Sequence, residues 1–297
     1  MDKKTRAELI LAGVTVVWGG TFPVIKTALF NVPPLLFLTI RFTAALILFI
    51  FIFRRQLKVP VKDTLLRGLL LGLLMFIGYS LQTIGLKFTT VGKSSLITYS
   101  FALYVPLLQF VFCKKPLKTG NLIGLVVVFC GIYIITSPEN SVFNTGDVLT
   151  FIAAFGYAFY IVFLDIFPQK DDPAVLTTLQ FVVAVLMGIT LSLIFEKPYL
   201  KVTPGFFISI GYLSLFGTVL AIYLMNKFQK DTTPTKAVII YSLEPVFSIL
   251  FGAIFIGEPL SLKLLTGGAL VLSGVLLSEL WFIIGKIFSS IRPGRPY

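Results

Sequence analysis

A carboxylate followed at once by a proline, Glu244-Pro245, lies inside an apolar stretch that runs on to the turn Gly257-Glu258-Pro259. About ten residues into a helix, Glu244 would sit roughly 15 Å deep at 1.5 Å per residue. An ionisable group at that depth is costly and by default marks a functional site or a buried pair. Three kinds of chemistry are open to it: accepting hydrogen bonds, pairing with a cation, and taking up and releasing a proton. A purely architectural reading, in which it holds the Pro245 bend, stands beside these. Arg41, inside another apolar stretch, carries the complementary charge and could form an ion pair or coupling group with Glu244 or Glu258. Alternatively it snorkels to the headgroups. Glu258 reads first as a carboxylate on the positive end of the last helix, and second as a substrate contact.

Polar aromatic residues surround these charges in the sequence. Trp18, Tyr79, Tyr99, Tyr157, Tyr160, Tyr223 and Tyr241 all fall inside apolar stretches, not only at their ends, and Thr21 and Gln82 accompany them. A phenolic hydroxyl in hydrocarbon needs a partner or water. As a set with Glu244 these residues predict a polar-aromatic substrate cavity, although any single tyrosine reads equally well as a bridge between helices. Catalytic and metal chemistry find little support. The chain has no histidine, which removes the commonest metal ligand and proton shuttle. Its two cysteines, Cys113 and Cys130, lie in apolar stretches without ligand spacing. There is no phosphate-binding glycine loop, and Asp171-Asp172-Pro173 reads as a helix cap rather than half of a diphosphate site. The expectation is therefore no catalytic residues, no metal, no cofactor and no enzyme activity.

The elements that must position these residues follow from composition. Hydrophobic residues make up 57% of the 297 residues, charged ones 13%, and the mean hydropathy is +0.95. A soluble domain carries about a quarter charged residues, so the chain is read as an integral membrane protein. The net charge of +12 then reports topology and anionic headgroups, not nucleic acid. With about 20 residues per crossing, ten spans are predicted, at 8–29, 35–53, 65–86, 94–113, 119–136, 147–166, 174–195, 205–226, 235–256 and 260–284. Placing both termini in the cytoplasm puts eighteen Lys and Arg residues on inner segments and six on outer ones, as the positive-inside rule requires. Asp165 and Glu279 then fall near the inner ends of their spans and are expected to be solvated.

The chain also repeats itself. An offset of 143 carries Thr89, Thr90 and Lys93 onto Thr232, Thr233 and Lys236. Without a gap it also carries Pro116, Leu117, Leu122, Gly124 and Gly131 onto Pro259, Leu260, Leu265, Gly267 and Gly274. The connection 137–146 divides the chain into 1–140 and 141–297, five spans each. An odd number of spans turns the second repeat upside-down relative to the first, an arrangement associated with alternating access around a midplane site. The expected fold is all-α: ten transmembrane helices in two inverted five-helix repeats around a central cavity. Among the small residues, Gly68 and Gly72 predict a close helix contact and Gly252 and Gly257 a looser one. Gly19-Gly20 with Pro23 predict a weakened or bent first helix.

Several motifs together resemble the drug/metabolite transporter superfamily, in its ten-helix permeases with two EamA domains. They are Trp18-Gly19-Gly20-Thr21-Phe22, Leu103-Tyr104-Val105-Pro106-Leu107, Gly146-Asp147, Leu243-Glu244-Pro245-Val246-Phe247 and Gly257-Glu258-Pro259-Leu260. One departure is that Pro106 and Pro245 align only with a shift of four residues. The resemblance implies a carrier of small organic solutes such as amino acids, metabolites or drugs, often an exporter, in the cell membrane. A facilitative uniporter and an organic-phosphate or nucleotide-sugar antiporter are the near alternatives, and a membrane-embedded enzyme the distant one. The expected partners are a small-molecule substrate, the lipid bilayer and protons, with no nucleic acid and no obligate protein.

Overall fold

The computed structural model describes residues 2–57, 59–136, 144–167, 171–232 and 234–291. Within them the chain is helical from end to end: α1 (Lys3–Ala28), α2 (Pro34–Phe53), α3 (Lys62–Leu86), α4 (Val91–Tyr99), α5 (Phe101–Cys113), α6 (Thr119–Thr136) and α7 (Thr145–Ile166) are followed by α8 (Pro173–Phe195) and α9 (Pro204–Ser214). After a π-helical turn at Leu215–Leu220 come α10 (Ala221–Phe228), α11 (Pro234–Tyr241), α12 (Leu243–Ile256) and α13 (Leu262–Ile291). Among the described residues nine helical stretches are long and apolar enough to cross a membrane, and α13 begins with a shorter apolar segment, Leu262–Ser278. Large apolar side chains such as Phe51, Leu193, Ile208 and Phe255 stand exposed. That is expected where the surrounding medium is hydrocarbon, not water.

Each predicted span corresponds to a helix, but three of the ten are not continuous α-helices. The fourth breaks at Ser100, between α4 and α5, and the ninth at Ser242, between α11 and α12. Pro245 has no N–H to bond the carbonyl four residues back, which loosens the backbone at Tyr241, next to the second break. The eighth span carries the π-turn, where Thr218 Oγ1 donates to the Leu213 carbonyl at 2.8 Å across the widened turn. The first span, expected to be weakened or bent at Gly19-Gly20, is one continuous helix that contains Pro23. Its glycines serve close approach: a Cβ on Gly19 would stand 2.5 Å from Phe247 Cβ and 3.1 Å from the Glu244 carbonyl. Gly257 is likewise a turn residue rather than a packing one, ending α12 at φ +67° with open space around it.

Packing crosses the two halves throughout. α1 lies on α12, α3 on α7 and α8, α2 on α8, α5 and α4 on α7, and α6 along α13. The α6–α13 seam is close because glycines face backbone. A Cβ on Gly124 would meet the Gly274 carbonyl at 2.5 Å, and one on Gly131 the Gly267 carbonyl at 2.7 Å. The expected Gly68–Gly72 contact is present as well, against Leu179, Gln180 and Val183 of α8.

One end of the bundle is tied by carboxylates that cap helices from other hairpins. Glu196 accepts from the N–H groups of Leu35 (2.8 Å) and Leu36 (2.9 Å) at the start of α2. Glu258 accepts from Val91 (2.9 Å) and Gly92 (3.3 Å) at the start of α4. Asp147 caps within α7 and accepts from Thr89 Oγ1 at 2.6 Å. At the opposite end Arg67 and Thr64 of α3 hold Asp171 at 2.7 and 2.6 Å, while Asp172 caps α8 through the Ala174 N–H. Asp165, expected to be solvated, stands 3.9 Å from Lys115 Nζ. The side chain of Glu279 and the segment 137–143 lie outside the described residues.

Candidate functional site

Both helix breaks, α1, α3, α7 and α10 converge on an internal cavity with about 700 Å³ of empty space, open solvent included. α1 contributes Trp18, Thr21, Phe22 and Ile25, and α3 contributes Met75, Tyr79 and Gln82. Thr98 and Phe101 flank the Ser100 break, and Tyr241 and Glu244 flank the Ser242 break. Tyr157, Tyr160 and Ile161 of α7 and Ile222 and Met225 of α10 complete the wall. Trp18, Thr21, Tyr79, Gln82, Tyr157, Tyr160, Tyr241 and Glu244, singled out in the sequence, line this one pocket together. Phe22, Ile25, Met75, Phe101, Ile161, Ile222 and Met225 escape sequence reasoning because apolar residues in apolar helices carry no signal of which face they take. Thr98 is legible only once the adjacent break is known.

Tyr99 and Tyr223 do not line the cavity. Tyr99 is fully buried with its ring edge-on to Phe101 at 5.4 Å; one helical step of 100° separates it from Thr98, which does face inward. Tyr223 packs on Phe53 (4.4 Å) and Phe49 (5.7 Å), away from its lining neighbour Ile222. Arg41 neither pairs with Glu244 or Glu258 nor snorkels. It is 1% exposed; its Nε donates to Thr218 Oγ1 at 2.7 Å and its Nη2 to the Gly217 carbonyl at 3.2 Å. The guanidinium carbon stands 5.1 Å from the Tyr79 ring centre, one layer behind the cavity wall. A π-turn frees carbonyls that an α-helix would consume, which makes Gly217 available to both Arg41 and the Trp18 indole (3.2 Å). Glu258 belongs to the capped end of the bundle, with Lys26 Nζ at 3.3 Å, and caps α4 instead of its own following helix.

Within the cavity, Trp18 and Tyr241 stand 5.9 Å apart and Tyr79 and Tyr157 5.7 Å, the second pair edge-on. Tyr157 donates to Gln82 Oε1 (2.9 Å), whose Nε2 donates to Thr98 Oγ1 (3.0 Å). Glu244 makes no side-chain hydrogen bond or ion pair among the described residues, although it is only partly exposed. A second pocket lies nearer the Asp171 end, lined by Asp165, Asp171, Asn226, Gln229 and Lys230 among others. A polar partition divides the two. The Tyr160 hydroxyl lies 3.1 Å from Gln180 Oε1 and 3.0 Å from Asn226 Oδ1, and Asn226 Nδ2 donates to Thr177 Oγ1 at 2.8 Å. Beside it the Tyr241 hydroxyl donates to Gln229 Oε1 at 3.2 Å.

A bundle of helices long and apolar enough to cross a membrane, packed around a cavity, is the architecture of a multi-pass membrane protein. The chain belongs to the EamA-like transporter family, whose pattern it matches twice, over residues 5–137 and 144–280. It is similar to an uncharacterized transporter of Archaeoglobus fulgidus, 28% identical over 94% of this chain and 87% of the other. It is also similar to the uncharacterized inner membrane transporter YedA of Escherichia coli K12, 27% identical over 95% and 92%. YoaV of Bacillus subtilis, an uncharacterized transporter, is 24% identical over 95% and 99%. A crystal structure with 18% sequence identity superposes with a TM-score of 0.71, covering 93% of this chain and 97% of the other, which shows a shared fold.

Proposed function

We propose that this transporter exports small organic solutes across the cell membrane by alternating access, with the central cavity as the solute site and Glu244 as its proton-coupling group. The two inverted repeats are 1–140 and 141–297, and both termini are cytoplasmic. The observation that carries the reading is a cavity walled by residues from both halves of the chain, with a carboxylate, beside a broken helix, that has no side-chain partner among the described residues. Broken helices in corresponding positions of two repeats mark the solute site in transporters so built, and the breaks here, Ser100 and Ser242, lie 142 residues apart. Exchanged packing supports the inversion. α1 on α12 corresponds to α7 on α5, and α3 on α8 to α9 on α2. The repeated threonine does the same: Thr89 bonds Asp147 of the second half's first helix at one end. At the other end Thr232 bonds Glu8 of the first half's first helix at 3.3 Å.

A proteoliposome counterflow screen across amino acids, amines and nucleotides tests transport directly. With a transported solute in hand, a pH gradient should drive its accumulation by the wild type. Glu244→Gln, which keeps shape but cannot ionise, should retain exchange at equal pH and lose that accumulation. Wild type without gradient-driven accumulation would leave a facilitative uniporter with Glu244 in an architectural role. Impermeant labelling of single cysteines in a Cys113/Cys130-free background checks orientation, since position 55 should be reachable only from the cytoplasm.

A further inference from the structure

Much of the cavity's donor capacity is used within the protein: the Trp18 indole by the Gly217 carbonyl (3.2 Å), Thr21 by the Trp18 carbonyl (2.7 Å), Tyr157 by Gln82 (2.9 Å) and Tyr241 by Gln229 (3.2 Å). The single proton of Tyr160 faces two amide oxygens, and Gln82 gives an amide proton to Thr98. What remains for a solute is ring faces, phenolic oxygens, the hydroxyls of Tyr79 and Thr98 and the carboxylate of Glu244. Seven of the sixteen lining residues are aromatic and none is Lys or Arg. Arg41 stands behind the Tyr79 ring, with Nε and Nη2 bonded to Thr218 and Gly217 and Nη1 without a hydrogen-bond partner among the described residues.

We infer that the solute site selects organic cations, specifically amines with a small aromatic or apolar body, which set their ammonium against Glu244 and their body among the tyrosine and tryptophan rings. This rests on the transport reading above and names its substrate class. An ammonium supplies the positive charge that the wall lacks, and within about 6 Å of a ring face it is also attracted by the ring quadrupole. A carboxylate solute would meet the like charge of Glu244 with no Lys or Arg in the wall to pair it. A neutral solute of the same shape gains the apolar contacts but leaves Glu244 unpaired.

Three probes of one shape decide it: phenethylamine, phenylalanine and phenylacetate, a cation, a zwitterion and an anion on the same ring. Isothermal titration of the purified full-length protein at neutral pH should show phenethylamine binding at least about tenfold tighter than the other two, about 1.4 kcal/mol. In Trp281→Phe protein, where Trp18 is the only tryptophan, the amine should change the fluorescence and phenylacetate should not. Glu244→Gln should abolish the preference. The wild-type probe series stands by itself if that variant fails to fold. Phenylalanine or phenylacetate binding as tightly as the amine overturns the proposal, as does no binding of phenethylamine. Counterflow of phenylalanine without amine binding removes the cation class and leaves transport intact. Amine binding without counterflow of any solute keeps the cation site and removes transport.

Discussion

Tyr160→Phe removes one buried hydroxyl from the partition between the central cavity and the pocket at the Asp171 end. That hydroxyl lies 3.1 Å from Gln180 and 3.0 Å from Asn226, while Asn226 keeps its own bonds to Thr177 and Gln180 at 2.8 and 3.4 Å. The variant therefore loosens the partition without dismantling it. Interhelical hydrogen bonds in membrane proteins contribute about 0.6 kcal/mol on average and about 1.7 at most. A loss in that range multiplies the fraction of time the partition stands open by about 3- to 18-fold. The assay is the labelling rate of a cysteine at Met225, which lines the cavity, by an impermeant thiol reagent applied to inside-out vesicles in a background without Cys113 and Cys130. Tyr160→Phe should raise that rate by the stated factor and leave labelling from the outer face unchanged. An unchanged or slower rate from the inner face would refute the partition as the barrier on that side.

Glu196→Ala should lower thermal stability in detergent by several degrees, because its carboxylate holds two α2 N–H groups and the Ser192 hydroxyl (3.0 Å) and charge-assisted hydrogen bonds contribute about 1.5–3 kcal/mol each. Gly124→Leu should abolish monodisperse protein on size-exclusion chromatography, since even a Cβ there would meet the Gly274 carbonyl at 2.5 Å. Burial pushes the Asp171 carboxyl up, but the hydrogen bonds from Arg67 and Thr64 and the Arg67 charge outweigh it and hold the group below the usual carboxylate range. Its stabilisation is therefore complete above the unfolded value and lost as pH falls through the lower folded one. Melting curves of wild type and Asp171→Asn should thus differ near neutral pH and converge in strong acid; a difference that grows with acidity would contradict the sign.

The positions of the spans, the membrane class and most of the cavity set were readable from the chain because hydrocarbon enforces a simple rule. A polar group inside a span must find a partner, so Glu244 and the mid-span tyrosines declare themselves. What escaped was rotation and fine backbone geometry. Tyr99 and Thr98 are neighbours in sequence, yet only Thr98 faces inward, because a helix turns 100° per residue and apolar packing on all sides hides which face is which. The break at Ser242 had a signal in Pro245; the break at Ser100 and the π-turn at 215–220 had none that the sequence pattern exposes.

The charges show the division most sharply. The sequence marks Arg41, Glu244 and Glu258 as charges inside or at the edge of apolar stretches, with snorkelling, a helix-end position and a bend-holding role open beside partnered readings. It could not determine the partners, because these come from helices more than a hundred residues away. Arg41 found Thr218 and the Gly217 carbonyl through a π-turn, Glu258 found the start of α4 and Lys26, and Glu244 was left facing the cavity. Composition and hydropathy dictate which residues enter the membrane. Only the close packing of helices from both halves decides which of them meet each other and which are left to meet a solute.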